Sequence, residues 1–396
     1  MRIDSRNRAV LVMCIADASG NPRPNRIIHL LSKHGFVVDL FGFDLADPLP
    51  LRHLFSFPRP RVGFVQQIRK ALFTIVASIF ARLKKTRLAE VTSLRRLGLW
   101  SGCQCFEQKQ YSIIVVEDLF LLPVAFRCWG DHSQTKIVFD AREYYPRQNE
   151  ERLLFRWIEQ PLRELLCRTY LPLCSYLLTV SPGLARAYQE EFGVRMQVLR
   201  SVPPFQHQSV RTTATNRIRM VHHGGAKRNR GLLNMIEVVR RLDSRFSLDF
   251  YLVGDEGHIE FLKGQAVDCD RVFFREPVPF DQIISMLNGY DIGFYYLEPA
   301  GFNVKFNLPN KLFEFIQGRL AIAIGPSPDM ADLVNQYQCG FVAPSFSIDA
   351  MVDTLSSLKP TDIDLAKQNS HRAAKELCYE RETECFMSDL RILLDE

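Results

Sequence analysis

The sequence predicts an α/β protein built on two doubly wound parallel sheets. Three observations carry this. Uninterrupted apolar runs, such as residues 9–15 and 320–324, have the composition of strands buried on both faces. Such runs alternate with stretches of helical apolar spacing, the β-α-β rhythm of a parallel sheet. The rhythm occurs twice, on either side of residues 201–216, a linker-like stretch with two prolines and many Ser, Thr and Gln residues. At 396 residues the chain has room for two cores.

Bulk properties narrow the function. A hydrophobic content of 47% and a charged content of 24% are ordinary for a globular protein, and a net charge of +6 is too small to imply nucleic acid. Ten cysteines are scattered, and only Cys103 and Cys105 come close together. No paired CxxC sets occur, so neither a zinc site nor a disulfide framework is expected, and the chain reads as a reduced cytosolic protein. Residues 1–8 are polar and do not read as a signal peptide. No apolar run reaches the ~18 residues of a membrane span.

In the first half, residues 9–15 read as a strand, 16–26 as a loop, 27–34 as a helix closed by Gly35, and 37–41 as a strand. The loop falls at the carboxyl end of its strand, where open α/β sheets bind ligands. It is not a GxGxxG fingerprint, so a dinucleotide is unsupported. Asp17, Asn25 and Arg26 are candidate substrate contacts; the competing reading is that they cap the helix and face solvent. Residues 59–100 interrupt the rhythm. Arg59, Arg61, Arg69, Lys70, Arg82, Lys84, Lys85, Arg87, Arg95 and Arg96 stand there against one acid, Glu90. The uncharged run 71–81 lies among them and is too short to span a bilayer. A basic helical segment with a bulky apolar face fits an anionic membrane surface; the alternative is a helix pair packed on the sheet with solvated basic ends. Strands follow at 113–117, with Asp118 at the tip, and at 136–140, which leads into Ala141-Arg142-Glu143-Tyr144-Tyr145-Pro146 at the ligand edge. Residues 151–173 read as a long helical stretch and 177–180 as a strand. Ser181-Pro182 opens a helix to Phe192, and 197–200 is a last strand.

In the second half, strand 217–223 ends in Gly224-Gly225-Ala226-Lys227-Arg228-Asn229-Arg230-Gly231 before a helix at 232–242. A Gly-Gly turn admits a ligand close to the backbone, and three cations at a helix N-terminus suit a phosphate. Strands 248–253, 271–274 and 291–297 and a helix at 281–287 follow. Pro309-Asn310 then opens a helix, 311–317, with Leu312, Phe313 and Ile316 spaced for one buried face. Gly318 ends it before strand 320–324. Lys311 at this N-terminus suits a phosphate, and Glu314 one turn on suits the hydroxyl pair of a ribose. The competing reading is a solvated i,i+3 ion pair. Strand 340–343 and helix 349–358 complete the sheet, and 365–394 read as one or two helices.

Three blocks in order carry a resemblance. They are Gly224-Gly225 to Arg230-Gly231, then Tyr251-Leu252-Val253-Gly254-Asp255-Glu256-Gly257, then the P-x-K-x-x-E-like element Pro309-Asn310-Lys311-Leu312-Phe313-Glu314. Phe139-Asp140-Ala141-Arg142-Glu143 and Val180-Ser181-Pro182 add to them. Together they resemble the retaining GT-B-fold glycosyltransferases of the bacterial cell-surface polysaccharide type (family 4-like, group 1), over nearly the whole chain except 43–110. The resemblance implies two doubly wound Rossmann-like domains facing across a cleft. Residues 1–205 would form the acceptor-side domain with its insertion at 59–100, 206–364 the nucleotide-sugar domain, and 365–396 C-terminal helices that return to the first domain. It also implies transfer with retention from a UDP- or GDP-linked sugar to a glycan or lipid-linked acceptor, without metal or cofactor. Arg230 and Lys311 would stabilise the leaving diphosphate, with Glu143 as a third catalytic residue. Gly224, Gly225, Lys227, Arg228, Asn303, Asn307, Asn310 and Glu314 would bind the donor, and Asp17, Asn25, Arg26 and Arg142 would line the acceptor side. A cytoplasmic enzyme peripheral on the membrane's inner face is expected, with no nucleic-acid partner. Two departures stand out: Phe306 where many relatives carry a Glu, and Arg142 where the element usually has His. They keep a non-catalytic partner subunit open as an alternative; a GT-B-fold nucleotide-sugar epimerase is another, against which the Asp140-Ala141-Arg142-Glu143 element and the basic apolar insertion argue.

Overall fold

The computed structural model describes residues 8–57, 63–97, 109–131 and 134–395, so Arg59, Arg61, Cys103 and Cys105 lie outside the described residues. Contacts divide the chain into two compact units. One comprises Met1–Leu199 with Gly301–Asn303 and Phe386–Glu396; the other comprises Arg200–Ala300 and Val304–Cys385.

The strands of the first unit are β1 (Ala9–Met13), β2 (Val37–Gly42), β3 (His53–Ser56), β4 (Ile113–Val116), β5 (Lys136–Ala141), β6 (Tyr176–Thr179) and β7 (Gln197–Val198). They pair in parallel in the order β3-β2-β1-β4-β5-β6-β7. Its helices are α1 (Pro22–Lys33), α2 (Phe64–Arg82), α3 (Thr86–Leu97), α4 (Leu122–Trp129), α5 (Gln160–Tyr170) and α6 (Pro182–Phe192). Val10, Leu11, Val12 and Met13 are all fully buried, so β1 needs no polar face and shows no alternation.

The second unit holds β8 (Ile218–Gly225), β9 (Phe246–Val253), β10 (Val272–Arg275), β11 (Ile292–Tyr295), β12 (Ala321–Ile324) and β13 (Gly340–Val342), all parallel, in the order β10-β9-β8-β11-β12-β13. Its helices are α7 (Leu232–Arg241), α8 (Glu256–Gln265), α9 (Ile283–Leu287), the short α10 (Phe302–Lys305), α11 (Asn310–Gln317), α12 (Pro328–Tyr337), α13 (Ile348–Ser356), α14 (Pro360–Glu376) and α15 (Tyr379–Asp395), although Phe302 and Asn303 and the end of α15 belong to the first unit. Alternate residues of β12 feed two cores: Ala321 and Ala323 join Met235, Phe250 and Phe294, whereas Ile322 and Ile324 join Phe313, Phe315 and Leu333.

In both sheets the chain first winds one way from its first strand and then the other. The reversal falls between β1 and β4 in one unit and between β8 and β11 in the other. Such switch points open the crevices in which α/β sheets hold ligands.

Several expected elements are corrected. Helix α1 begins at Pro22, not at 27, so Asn25 and Arg26 lie on a helix and not in a loop. The Asn21 side chain caps it by accepting from the Arg23 amide, and Pro22 and Pro24 fall in a first turn that needs no intrahelical N–H. The helical stretch expected over 151–173 runs without a break from 153 to 173 but is of mixed type: a π-helical turn (Phe155–Glu159), α5, and a 3-10 turn (Leu171–Leu173). Residues 201–216 are not a loose linker. Gln206 N donates to Gln317 Oε1 at 3.0 Å, Arg319 donates to the Gln206 carbonyl at 2.5 Å, and Thr213 N donates to Asp364 at 2.8 Å. Strand β3 and helices α4, α8, α10 and α12 have no counterpart in the sequence reading. Of residues 59–100, the described part, 63–97, forms the α2–α3 helix pair.

Candidate functional site

In the second unit the switch-point crevice is built from the ends of β8 and β11 and the first turn of α11. Strand β8 runs on through Gly224 and Gly225, past the expected end at 223. Gly224 holds φ at +118°, and a Cβ there would lie 3.2 Å from Lys311 Nζ, so glycine serves both the backbone and the approach of the lysine. Lys311 is half-buried on α11. The buried Leu312, Phe313 and Ile316 fix the helix rotation and turn Lys311 towards β8. Its Nζ sits 3.2 Å from His222 Nε2. His222 Nδ1 lies 2.9 Å from the Phe294 carbonyl. A carbonyl only accepts, so Nδ1 carries the proton and Nε2 accepts from the lysine. The His222 ring stacks on Tyr295 with planes 5° apart, and Lys311 Nζ is 5.1 Å from the Tyr295 ring centre.

The charges follow from this packing. Burial, and then the Arg230 charge, push Lys311 down to about 7, against an opposing pull from Glu314. Burial, then Lys311, hold His222 well below the usual histidine range. Arg230 ends a 3-10 turn, is half-buried and bonds the Tyr295 hydroxyl; Lys227 and Arg228 beside it are exposed. Gly231 caps α7 at φ +67°, where a Cβ would meet the Tyr296 carbonyl at 2.5 Å. Glu314 is buried, with Oε2 3.3 Å from His223 Nε2. Burial pushes His223 down to about 3, so it is neutral, and its Nε2 is not aligned for a hydrogen bond with any described group. A solvated Lys311–Glu314 ion pair is therefore not what the structure shows.

Asn310 is the first residue of α11, and Asn307 is half-buried in the approach to it. Asn303 belongs to the first unit, where its side chain accepts from Tyr144 N at 2.6 Å and donates to Tyr144 O at 3.2 Å. Its amide is spent on the backbone behind Glu143, which leaves Asn307 and Asn310 as the asparagines next to Lys311 in sequence.

In the first unit the crevice at β1 and β4 holds a buried charge cluster. Arg23 grips Asp140 through two bonds of 2.6 and 2.7 Å and donates a third to the Leu199 carbonyl at 2.8 Å. Glu117, the first residue past β4, is fully buried, and neither carboxyl oxygen has a hydrogen bond among the described residues. Burial, then the Asp140 charge, push it up to about 8, opposed by Arg142 and Arg23. Arg142 and Glu143 are half-buried at the end of β5. Asp17 accepts from Ser19 N, Ser19 Oγ and Ala46 N, which makes it a fastener of its turn. Asn25 donates to the Ser19 carbonyl at 3.0 Å, and Arg26 is half-buried one residue on. Sequence reasoning missed His222, His223, Tyr295 and Glu117. The adjacent Asp118 drew attention instead, and it caps the next turn through the Phe120 amide. Among the described residues no group of three or more His, Cys, Asp or Glu side chains could hold a metal ion.

The sequence matches no protein-family profile and no curated protein. The structure is nevertheless similar over its whole length to solved structures. A sucrose-phosphate synthase from Thermosynechococcus elongatus superposes with a TM-score of 0.68 at 12% identity, over 98% of this chain and 100% of that one. A UDP-forming α,α-trehalose-phosphate synthase from Burkholderia vietnamiensis gives 0.66 at 11% identity, over 98% and 97%. A glycosyltransferase from Rickettsia africae gives 0.66 at 11%, over 98% and 99%. The fold is GT-B. Both units are Rossmann-like domains of that fold, and the order β10-β9-β8-β11-β12-β13 is the Rossmann order 3-2-1-4-5-6. In this GT-B chain Lys311, Arg230 and Glu314 therefore collect where a Rossmann-like sheet presents its ligand crevice.

Proposed function

We propose that the protein is a glycosyltransferase that moves a sugar from a nucleotide diphosphate sugar to a lipid-linked or surface-polysaccharide acceptor, with retention of configuration. The observation that carries this reading is the pairing of Lys311 with Arg230 at the β8–β11 switch point, beside the open backbone of Gly224. A half-buried lysine held near neutrality by burial and a neighbouring guanidinium has an unmet demand for negative charge. A diphosphate meets that demand. Charge grows on the diphosphate as the glycosidic bond breaks, and preoriented cations stabilise it most at that moment. Glu314, one turn further along α11, accepts from the ribose hydroxyls, and the exposed Lys227 and Arg228 draw the anion in.

Asn307 and Asn310 take the donor-side contacts near Phe306, and Glu143 and Arg142 act at the β5 edge with Asp17, Asn25 and Arg26 on the acceptor side. UDP is the first nucleotide to test, because structures of similar fold are named for a UDP-forming reaction; GDP is the second. The basic apolar helix α2 supports a lipid-linked acceptor and a peripheral place at the cytoplasmic membrane face; no described helix is long and apolar enough to cross a membrane.

The test is a panel of UDP- and GDP-sugars offered to wild type, Lys311→Ala and Glu314→Ala, with hydrolysis, transfer and binding measured. Lys311→Ala should lower turnover by about 10²–10³-fold. Absence of nucleotide binding by the wild type overturns the reading, and interconversion of a nucleotide sugar without acceptor replaces it with an epimerase.

A further inference from the structure

Helix α2 is oriented against the usual rule. Its small and hydroxylated residues, Thr74, Ala77, Ser78 and Ala81, are buried, at the i, i+3, i+4, i+7 spacing of one face. Its bulky aliphatic residues are outside: Ile68, Leu72, Ile75, Val76, Ile79, and Leu83 just past the helix end. Leu72 is 58% exposed and Leu83 61%. A helix that packs only on its own protein would be expected to bury those side chains. Scattered exposed Leu or Ile residues need no explanation, but a continuous stripe along four turns does.

A second, sequence-distant segment continues the stripe. Leu153, Leu154 and Trp157, in and before the π-helical turn, are 70%, 74% and 67% exposed. Arg82 ties this segment to α2. Its guanidinium donates to the Trp157 carbonyl at 2.8 Å and lies 5.4 Å from the centre of the Trp157 ring. An open groove of about 610 Å³ runs between the two, lined by Ala71, Ile75, Leu153, Leu154 and Ile158 among others. Cations flank the apolar surface: Arg69, Lys70, Arg82, Lys84, Lys85 and Arg87 on or next to α2, all exposed, and Arg152 and Arg156 on the second segment. From residue 63 to 89 the sequence has no acid, and Glu90, which ends that run, is buried.

We propose that α2 and the Leu153–Trp157 segment form one docking face for an anionic lipid bilayer, with Trp157 and Leu154 as interfacial anchors. This deepens the reading of a lipid-linked acceptor and gives the membrane contact a composite surface that the stretch 59–100 alone does not contain. The occupant follows from the chemistry. An apolar stripe flanked by cations, on a helix whose uncharged run, 71–81, is too short to span, is the pattern of a helix lying in the headgroup plane. Tryptophan prefers that boundary. A second copy of the chain would bring the same cations against themselves.

The test floats the full chain with vesicles of phosphatidylcholine alone or with 30% phosphatidylglycerol, and follows tryptophan emission. The wild type should float with the anionic vesicles, less so at high salt, with a blue shift that is absent in Trp157→Phe. Leu154→Ser/Trp157→Ser should abolish flotation while leaving the melting temperature unchanged, because both side chains are already exposed. Lys84→Glu/Lys85→Glu should weaken partitioning by more than the about fivefold expected for each cation lost. Flotation unchanged in the Leu154/Trp157 variant overturns the proposal, as does a concentration-dependent dimer in light scattering that shields Trp157. The outcome is separable from the transferase reading: UDP binding measured without vesicles should be unaltered in these variants, and a wild type that floats without binding UDP fails the enzyme reading alone.

Discussion

Raising the pH from 7 to 9 should cost the protein most of its affinity for a diphosphate, through one lysine. Lys311 titrates at about 7 in the unliganded protein, because burial and Arg230 both disfavour the ammonium. A bound diphosphate places negative charge against it and returns it towards its ordinary value of about 10.4. Between those two values the free lysine is neutral and the bound one charged, so binding takes up a proton and affinity falls as pH rises. Counted from pH 7, where the free lysine is already half neutral, the loss is about fivefold by pH 8 and about fiftyfold by pH 9, or ~2.3 kcal/mol at ~1.36 kcal/mol per tenfold. UDP is titrated calorimetrically at fixed ionic strength across pH 7–9, above the ~6 at which its terminal phosphate changes charge. Buffers of different ionisation enthalpy count the protons. The expected result is a slope near one decade per pH unit with close to one proton taken up at the alkaline end, and a flat profile in Lys311→Met. A flat wild-type profile, or the same slope in Lys311→Met, refutes the reasoning.

Three further outcomes follow from the geometry. His222→Leu removes the acceptor of the Lys311 ammonium; UDP affinity at pH 7 should fall by about 1–2 kcal/mol and the alkaline loss should begin at lower pH, as the same titrations show. Arg23→Met leaves Asp140 buried without its cation, so chemical denaturation should show a loss of about 3–5 kcal/mol, part of which Arg23→Met/Asp140→Asn should recover. Glu117 is raised to about 8 in the fold. The unfolded chain ionises it near 4.3 while the folded chain does not, so this residue destabilises the fold progressively as pH rises through that window. Glu117→Gln should accordingly match the wild type near pH 4 and exceed it by a few kcal/mol at pH 8 in denaturant melts.

What could be read from the chain divides along a physical line between local and register-dependent signals. Parallel strands buried on both faces announce themselves as apolar runs, so most strands of both sheets were legible in 9–15, 113–117 and 320–324. Lys311 and Glu314 were legible as candidates because the Pro309-Asn310 helix entry and an i,i+3 spacing are local. The start of α1 was not: Asn21-Pro22-Arg23-Pro24 has the composition of a turn, and only the fact that a first helical turn needs no N–H turns its prolines into helix starters. His222 and His223 were illegible for a different reason. A histidine at a strand end looks the same whether it packs or positions a partner. Its role appears only when the pairing of β8 with β11 brings the Phe294 carbonyl to Nδ1 and so turns a lone pair to Lys311. Glu117 shares this limit, since nothing local distinguishes it from the capping Asp118. Asn303 is a different case. The resemblance implied a donor contact for it, and what no local signal showed is that its amide binds the backbone of Tyr144, more than 150 residues earlier. The stripe on α2 was visible as composition, but not its orientation: the inversion of small residues inward and large ones outward emerges only once α2 is packed. The residues that specify the fold are thus mostly the legible ones. Those that tune the chemistry at the switch points depend on strand register, and a change at His222 should therefore alter the pH dependence of binding far more than it alters the fold.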